Sequence, residues 1–336
     1  MSMQQTKLSA WLRKPLRGLH AFRRGESGQS MVMAALSVMA IMGMAALLLD
    51  GGMAYAVRRT TQNAADAAAF AGARKAAWGA SDAEVYAAVQ EYALARNNAG
   101  SFNAYYLPGH EPVGGGTVPA GANGINVVPT TPYQTYLART MGFDLMTVKA
   151  SASASFGPIS QPSKIQPLAR FCDQNTLQQC GFEYGQIYDL WNGGGPGNFG
   201  FLSWDGAVNT PYLSSELDPN FVPDYVDPHG QCGQIAIGCW VQGLTGAKAS
   251  VKGDLKYWQE VGLQNGTPMI VVIWDQSEGQ GSHTNYRIAG FAAFIVTDFK
   301  LNGQGYINGK FIQWITNAPV DDGAPNYGLS AVHLTN

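Results

Sequence analysis

Four cysteines and a nearby histidine carry the most evident chemistry in this 336-residue chain. Cys172 and Cys180 are close in sequence, as are Cys232 and Cys239, and His229 precedes the second pair. The set could bind zinc, but neither pair has the tight C-x-x-C spacing that is common at zinc sites. An exported domain meets an oxidising compartment, which favours disulfides. Four cysteines allow three connectivities, and we predict the local pairings Cys172–Cys180 and Cys232–Cys239.

Two other arrangements could support catalysis or metal binding. Cys232 or Cys239 with His283 could act as nucleophile and base, but a disulfide would remove the thiolate. The run from Asp275 to Gly279 (DQSEG) resembles the first metal-site loop of von Willebrand A domains, but too little chain follows it for that fold. We therefore predict no catalytic residue, no metal, no cofactor and no small-molecule substrate, so that the protein is not an enzyme.

The charge distribution separates a basic start from a mildly acidic remainder. Only 13% of residues are charged, and the chain contains 41 glycines. Six Lys and Arg residues fall within positions 1–26, although the whole chain has a net charge of −2. The remainder has no basic face for nucleic acid, so we exclude DNA and RNA as partners. Low charge and abundant glycine are typical of an exported, loop-rich β protein.

An uncharged apolar run from Ser30 to Leu49 is long enough to cross a bilayer as a helix. The positive-inside rule then predicts a single-pass membrane protein, with residues 1–29 in the cytoplasm and residues 50–336 outside it. The alternative is a cleaved signal peptide, because Ala54-Tyr55-Ala56 resembles a peptidase site. The apolar run is longer than a typical signal core, and Asp50 lies between it and that site.

The pattern after residue 50 predicts an α+β fold. An alanine-rich helix over 53–78 precedes a second helix, opened by a Ser81–Glu84 capping box and ending near Arg96. A loop follows over 99–124, and then a strand, a short helix and a strand over 125–156. Later apolar runs between turns predict a β sandwich or barrel, in which six tryptophans pack in the core or form a glycan-binding surface. The predicted segments are a cytoplasmic tail (1–29), a transmembrane helix (30–49), an extended helix with an α/β region (50–156), a linker (157–167) and a β-rich domain (168–336).

The stretch from Gly28 to Ala73 resembles the N-terminus of Tad-type (Flp) pilus-assembly proteins, the TadE/TadG-like group. In that group a Gly-Gln pair precedes an apolar helix that ends in Asp, and a basic residue and Gln-Asn-Ala-Ala-Asp-Ala-Ala-Ala follow. The matching positions here are Gly28, Gln29, Asp50, Arg58, Arg59, Gln62, Asn63 and Asp66. The resemblance covers about residues 25–156 and implies a small pilin-like α/β head. Major pilins carry Glu at the fifth mature position, where this chain has Met33, so the resemblance does not imply a major filament subunit.

The same stretch contains the candidate residues for helix assembly, which are Asp50, Arg59, Asn63 and Asp66. The last three fall on one helix face, where alanine neighbours would let another helix approach closely. Asp50 could pair with a basic partner or lie among lipid headgroups.

The resemblance implies a membrane-anchored, non-catalytic pilus-assembly component or minor pilin-like subunit of the bacterial cytoplasmic membrane, with its C-terminal domain periplasmic or extracellular. Its predicted partners are the membrane and, through the N-terminal helix, other Tad pilus-assembly proteins. An anchored binding or adhesion domain with no pilus role is the first alternative. A secreted hydrolase is the second.

Overall fold

The computed structural model describes residues 27–172, 180, 182–191, 201–206, 210–244, 249–281, 284–302 and 305–335. The fold is mixed α+β, as the sequence predicts. The described residues divide between two compact units, the first within positions 1–57 and 132–147 and the second within positions 58–131 and 148–336. Most of the predicted cytoplasmic tail lies outside the described residues.

Helix α1, Ser27–Ala77, is continuous over 51 residues. It contains no proline and is rich in alanine, and Gly51 and Gly52 do not interrupt it. Its apolar side chains before Asp50 are exposed, with Met39 at 72% and Leu47 at 78%. Among the described residues, α1 is the one helix long and apolar enough to be a candidate membrane span.

The first unit also contains a loop between two paired strands, β2 (Gly124–Gln134) and β3 (Leu145–Lys149). The short helix predicted in this loop is a single 3₁₀ turn, Ala138–Met141. It ends there because Gly142 adopts a left-handed conformation with φ of 91°.

Six described strands form the first sheet, in the order β1-β2-β4-β13-β12, with β3 beside β2. The other strands of this sheet are β1 (Ser101–Leu107), β4 (Ala152–Pro158), β12 (Trp314–Thr316) and β13 (Leu329–Thr335). Strand β1 lies where the sequence analysis expected only a loop. Glycine and proline on both sides obscured it, but seven of its residues pair antiparallel with β2.

Helix α2, Asp82–Gln90, begins with the predicted capping box, in which the Ser81 hydroxyl accepts from the Glu84 N–H. A π-helical turn, Glu91–Ala95, extends it to the predicted end near Arg96. Val85 and Val89 face the C-terminal part of α1, and both helices share one core with the first sheet.

Seven described strands form the second sheet, in the order β5-β9-β10-β11-β6, with β8 beside β10 and β7 beside β8. They are β5 (Ala169–Phe171), β6 (Ile187–Asp189), β7 (Phe201–Ser203), β8 (Trp240–Leu244), β9 (Met269–Glu278), β10 (Asn285–Lys300) and β11 (Tyr306–Ile312). Strand β10 is central because it pairs with three neighbours, and its 16 residues are long enough to do so.

Two helices that the sequence analysis did not predict pack on this sheet, α3 (Thr210–Glu216) and α4 (Lys252–Asn265). Leu255 and Trp258 of α4 share a core with Phe294 and Val296 of β10. The described sheet therefore has a helical layer on one face.

The last strand joins the two sheets. Strand β13 pairs antiparallel with β4 over six residues, although all seven described strands of the second sheet lie between them in sequence. Leu329 and Ala331 of β13 also share a core with Val272 and Ile288 of the second sheet. The division into sheets therefore does not follow the predicted boundary at 157–167.

Candidate functional site

One face of α1 forms a wall of an open groove of about 760 Å³ in the second unit. Its residues recur at three- and four-residue spacing, which places them on one side of a helix. They are Asn63, Asp66, Ala67, Phe70, Ala71, Arg74 and Lys75 of α1, and Trp78, which directly follows its last residue. The stripe covers four helical turns, or about 22 Å at the helical rise per residue.

The opposite wall consists of Ala88, Glu91, Tyr92 and Leu334. A salt bridge of 2.6 Å joins Glu91 to Arg96, whose guanidinium carbon lies 4.6 Å from the centre of the Tyr92 ring. These contacts orient the acidic and aromatic side chains along that wall before any partner binds.

The groove is amphipathic. Phe70 is 39% exposed, and the guanidinium carbon of Arg74 lies 4.5 Å from the centre of the Trp78 ring. The Trp78 indole N–H is buried and makes no hydrogen bond with the described residues. Apolar area with charged groups beside it is suited to binding an amphipathic helix.

The other face of α1 packs against its own domain. Ala65, Ala68, Ala69 and Ala73 are fully buried and share a core with α2 and the first sheet. From the sequence, we expected the alanines around the polar residues to let another helix approach. In the structure these four admit the chain's own sheet, because only small side chains allow so close an approach.

The Asp50 carboxylate accepts hydrogen bonds from three consecutive backbone amides. Tyr136 N lies 2.6 Å from Oδ1, while Leu137 N and Ala138 N lie 3.1 and 2.7 Å from Oδ2. The Tyr136 N–H, with the other two, lowers the pKa of Asp50 although partial desolvation opposes the shift. Asp50 therefore caps the 3₁₀ turn of the loop. This role depends on contacts with residues distant in sequence, such as Tyr136, which is 86 residues away.

The other residues predicted for helix assembly do not all lie at the groove. Asn63 and Asp66 both line the groove, and Asp66 accepts from the Gln62 amide at 2.9 Å. Arg59 is exposed but does not line the groove. The expected polar stripe thus consists of Asn63 and Asp66, and it continues toward Arg74 rather than back to Arg59.

Both predicted local disulfides are present, Cys172–Cys180 and Cys232–Cys239. Their Cα atoms are 5.0 and 6.0 Å apart, within the usual range for a disulfide. A bonded cysteine has no thiolate, so neither zinc binding nor a Cys–His pair can use these four residues. His283 lies outside the described residues.

The run that begins at Asp275 has a structural role. The Asp275 carboxylate faces Arg287 on the neighbouring strand, with 2.9 Å between Oδ1 and Nε. His229 contacts Glu278 at 2.5 Å. No group of three potential metal-binding side chains occurs among the described residues.

The six tryptophans of the C-terminal part lie in or beside the cores. Trp204, Trp258 and Trp274 are at most 6% exposed. The remaining three, Trp191, Trp240 and Trp314, are partly buried. Packing in the protein core therefore accounts for these tryptophans better than an exposed glycan-binding surface does.

Glu216, a buried carboxyl at the end of α3, was not among the residues predicted from the sequence. It is 2% exposed, and Oε1 accepts from the Trp204 N–H at 3.0 Å. Oε2 is buried without a hydrogen-bond partner among the described residues. Burial raises the pKa of Glu216 to about 7, with a further contribution from the negative charge of Asp205. A single acidic residue gives little sequence signal of this kind, because its burial depends on the tertiary fold.

The fold and the groove together define a class of protein with one long helix that has two parts. The start of the helix is apolar, and its end packs into an α+β head. Residues 28–82 match the model of the Tad family, described as Flp pilus-assembly TadE/G-like. The resemblance seen in the sequence is thereby confirmed over this segment. Comparisons with curated proteins and with solved structures found no match.

Proposed function

We propose that this protein is a membrane-anchored, non-catalytic component of a Tad (Flp) pilus-assembly system, or a minor pilin-like subunit of it. The first half of α1 crosses the cytoplasmic membrane, with residues 1–29 inside and the domain after residue 50 outside. One observation carries the proposal. The segment that matches the pilus-assembly family includes the α1 face that lines the groove.

The groove binds a helix of another pilus-assembly protein. Phe70 and Tyr92 supply apolar contact area, and such aromatic side chains dominate the binding energy of many interfaces. Asp66 and Glu91 attract basic groups of the partner, whereas Arg74 and Lys75 attract acidic groups. This charge pattern sets the orientation of the bound helix.

The proposal is tested with Phe70→Ala and Asp66→Ala in the full chain. Neither side chain is part of the buried core, so folding and disulfide formation are expected to be retained. We expect Phe70→Ala to reduce co-purification with other Tad proteins by about tenfold, which is equivalent to about 1.4 kcal/mol. Photo-crosslinking from the groove and counts of surface pili provide the readouts.

Matched controls lie on α4, far from α1 in sequence. Leu263→Ala removes an exposed apolar side chain, and Glu260→Ala removes an exposed carboxylate paired with Lys256 within one helix. Both are expected to leave pili and co-purification unchanged. Normal pili and unchanged crosslinks in both groove variants would instead favour an anchored domain with no pilus role.

A further inference from the structure

The loop between β2 and β3, together with the first residue of β3, exposes large apolar side chains. Tyr136 is 57% exposed, Met141 80%, Phe143 60% and Leu145 62%. These four residues fall within ten positions, and all belong to the same compact unit as the apolar half of α1. A group of exposed apolar side chains marks a surface that binds something less polar than water.

The loop is nevertheless well ordered by its own hydrogen bonds. Thr135 N donates to Asp144 O at 3.2 Å, and the Thr135 hydroxyl donates to Phe143 O. Phe143 N donates to Ala138 O at 3.2 Å and thereby closes the 3₁₀ turn. Backbone groups satisfied within the protein can enter a low-dielectric region at little cost, whereas unsatisfied groups cannot.

The Asp50 carboxylate determines which environment this loop meets. It holds the amides of Tyr136, Leu137 and Ala138, and it is the first charged residue after the 20-residue apolar run. The charged end of a membrane-spanning helix lies at the headgroup level. A loop bonded to that residue must lie at the same level.

The side chains of the loop suit an interface rather than a hydrocarbon core. Tyrosine is enriched where a bilayer meets water, and Tyr133 and Tyr136 both occur here. Arg139 is exposed beside them and can reach lipid phosphates. Its charge is balanced within the loop by Asp144, so apolar insertion rather than net charge would provide the attraction.

We propose that residues 133–146 form a second membrane contact, which inserts Tyr136, Met141, Phe143 and Leu145 into the outer headgroup region of the bilayer that α1 spans. Asp50 positions this contact through its three amide hydrogen bonds. The inference rests on the membrane anchor of the proposed function. It adds that the first unit is held against the membrane at two points rather than one.

The test uses the full chain in vesicles of phosphatidylethanolamine and phosphatidylglycerol. All four native cysteines are in disulfides, so a single added cysteine is the only free thiol. Met141→Cys places an environment-sensitive fluorophore on the loop, and Leu47→Cys places it on the apolar half of α1. Lipids with a spin label at shallow or deep positions report contact with the bilayer, and iodide reports contact with water.

We expect the probe at position 141 to be quenched at least about twofold more by shallow spin-labelled lipid than by iodide. The probe at position 47 is expected to be quenched best by deep spin-labelled lipid. If only iodide quenches the probe at position 141 while lipid quenches the probe at position 47 normally, the proposed loop contact is wrong and the membrane anchor still holds. A probe at 141 that neither quencher reaches is covered by protein, which also overturns it. Failure of lipid quenching at 47 rejects the anchor and the inference together.

The role of Asp50 is tested with Asp50→Asn against Asp144→Asn in the Met141→Cys background. Both changes remove one negative charge of the same unit, but only the Asp50 side chain accepts from the loop amides. We expect Asp50→Asn to increase iodide access at position 141 and Asp144→Asn to leave it unchanged. Equal effects would overturn the assigned role of Asp50.

Discussion

Asp50, Asp82 and Glu216 are among the carboxylates that accept hydrogen bonds from backbone amides, and their surroundings move their pKa values in different directions. Asp50 accepts three amides and its pKa falls. Asp82 is 3% exposed, and burial alone would raise its pKa. The N–H groups of Gly114 and Gly116, with the Tyr106 hydroxyl, outweigh burial and lower it. Glu216 has one amide donor, so burial prevails.

Glu216 predicts a pH dependence of stability. Its pKa rises to about 7 on folding from 4.5, so its favourable contribution is complete below pH 4.5 and is lost as the pH rises through 7. This loss amounts to a decrease in the free energy of unfolding on the order of 3 kcal/mol. We expect Glu216→Gln to match the native protein at pH 5 and to be more stable at pH 8, measured by denaturant unfolding in detergent.

The control for this prediction is Glu260→Gln, which changes a carboxylate whose side chain is 54% exposed. The difference in unfolding free energy between Glu260→Gln and the native protein is expected to be the same at both pH values. A Glu216→Gln variant without a stability advantage at pH 8 would contradict the assignment.

At the scale of elements, α1 has two environments along its length and two faces in its second half. Before Asp50 its apolar side chains are exposed, which is appropriate for lipid. After Thr61 one face packs on α2 and the first sheet, while the other lines the groove. Gly72 lies on the packed face, and a Cβ there would come within 2.6 Å of Val89 Cγ2.

We therefore expect Gly72→Ala to destabilise the domain by about 1–2 kcal/mol, despite the higher helix propensity of alanine. The Val89 methyl group cannot move aside easily because its β-branched side chain is restricted to few rotamers. Gly253→Ala on α4 is the control, since a Cβ at Gly253 would meet nothing within 4 Å. That change is expected to be neutral or to stabilise by up to about 1 kcal/mol. Equal melting temperatures for the two variants would contradict the packing argument.

At the scale of the whole molecule, β13 links the two sheets of the second unit. It pairs with β4, and its Leu329 and Ala331 side chains pack in the core of the second sheet. Val332 on its other face packs in the core of the first sheet. Cooperative unfolding of the unit follows from these shared contacts.

A chain truncated after Asn326 is expected to lose protease resistance in both sheets. Mass spectrometry of the fragments measures this loss separately for residues 58–158 and 168–312. Leu334→Ser, at a position 49% exposed, keeps the backbone pairings and is expected to remain resistant. A resistant 168–312 fragment from the truncated chain would show instead that the second sheet folds independently.

Local patterns determined much of this structure. The capping box at Ser81 and Glu84, the uninterrupted helix through residue 77 and the close cysteine pairs depend on residues within a few positions of one another. The Gln-Asn-Ala-Ala-Asp motif was sufficient to predict the similarity of residues 28–82 to the Tad pilus-assembly family. The apolar run likewise identified the candidate membrane helix.

Other features were decided only by tertiary structure. Strand β1 was missed because its pairing with β2, rather than its composition, defines it. The roles of Asp50, Gly72 and Glu216 each depend on groups distant in sequence. The motif alone could not distinguish the alanines that pack inward from the residues that line the groove. Helical periodicity places side chains on a common face, but what that face meets depends on contacts formed when distant segments fold together.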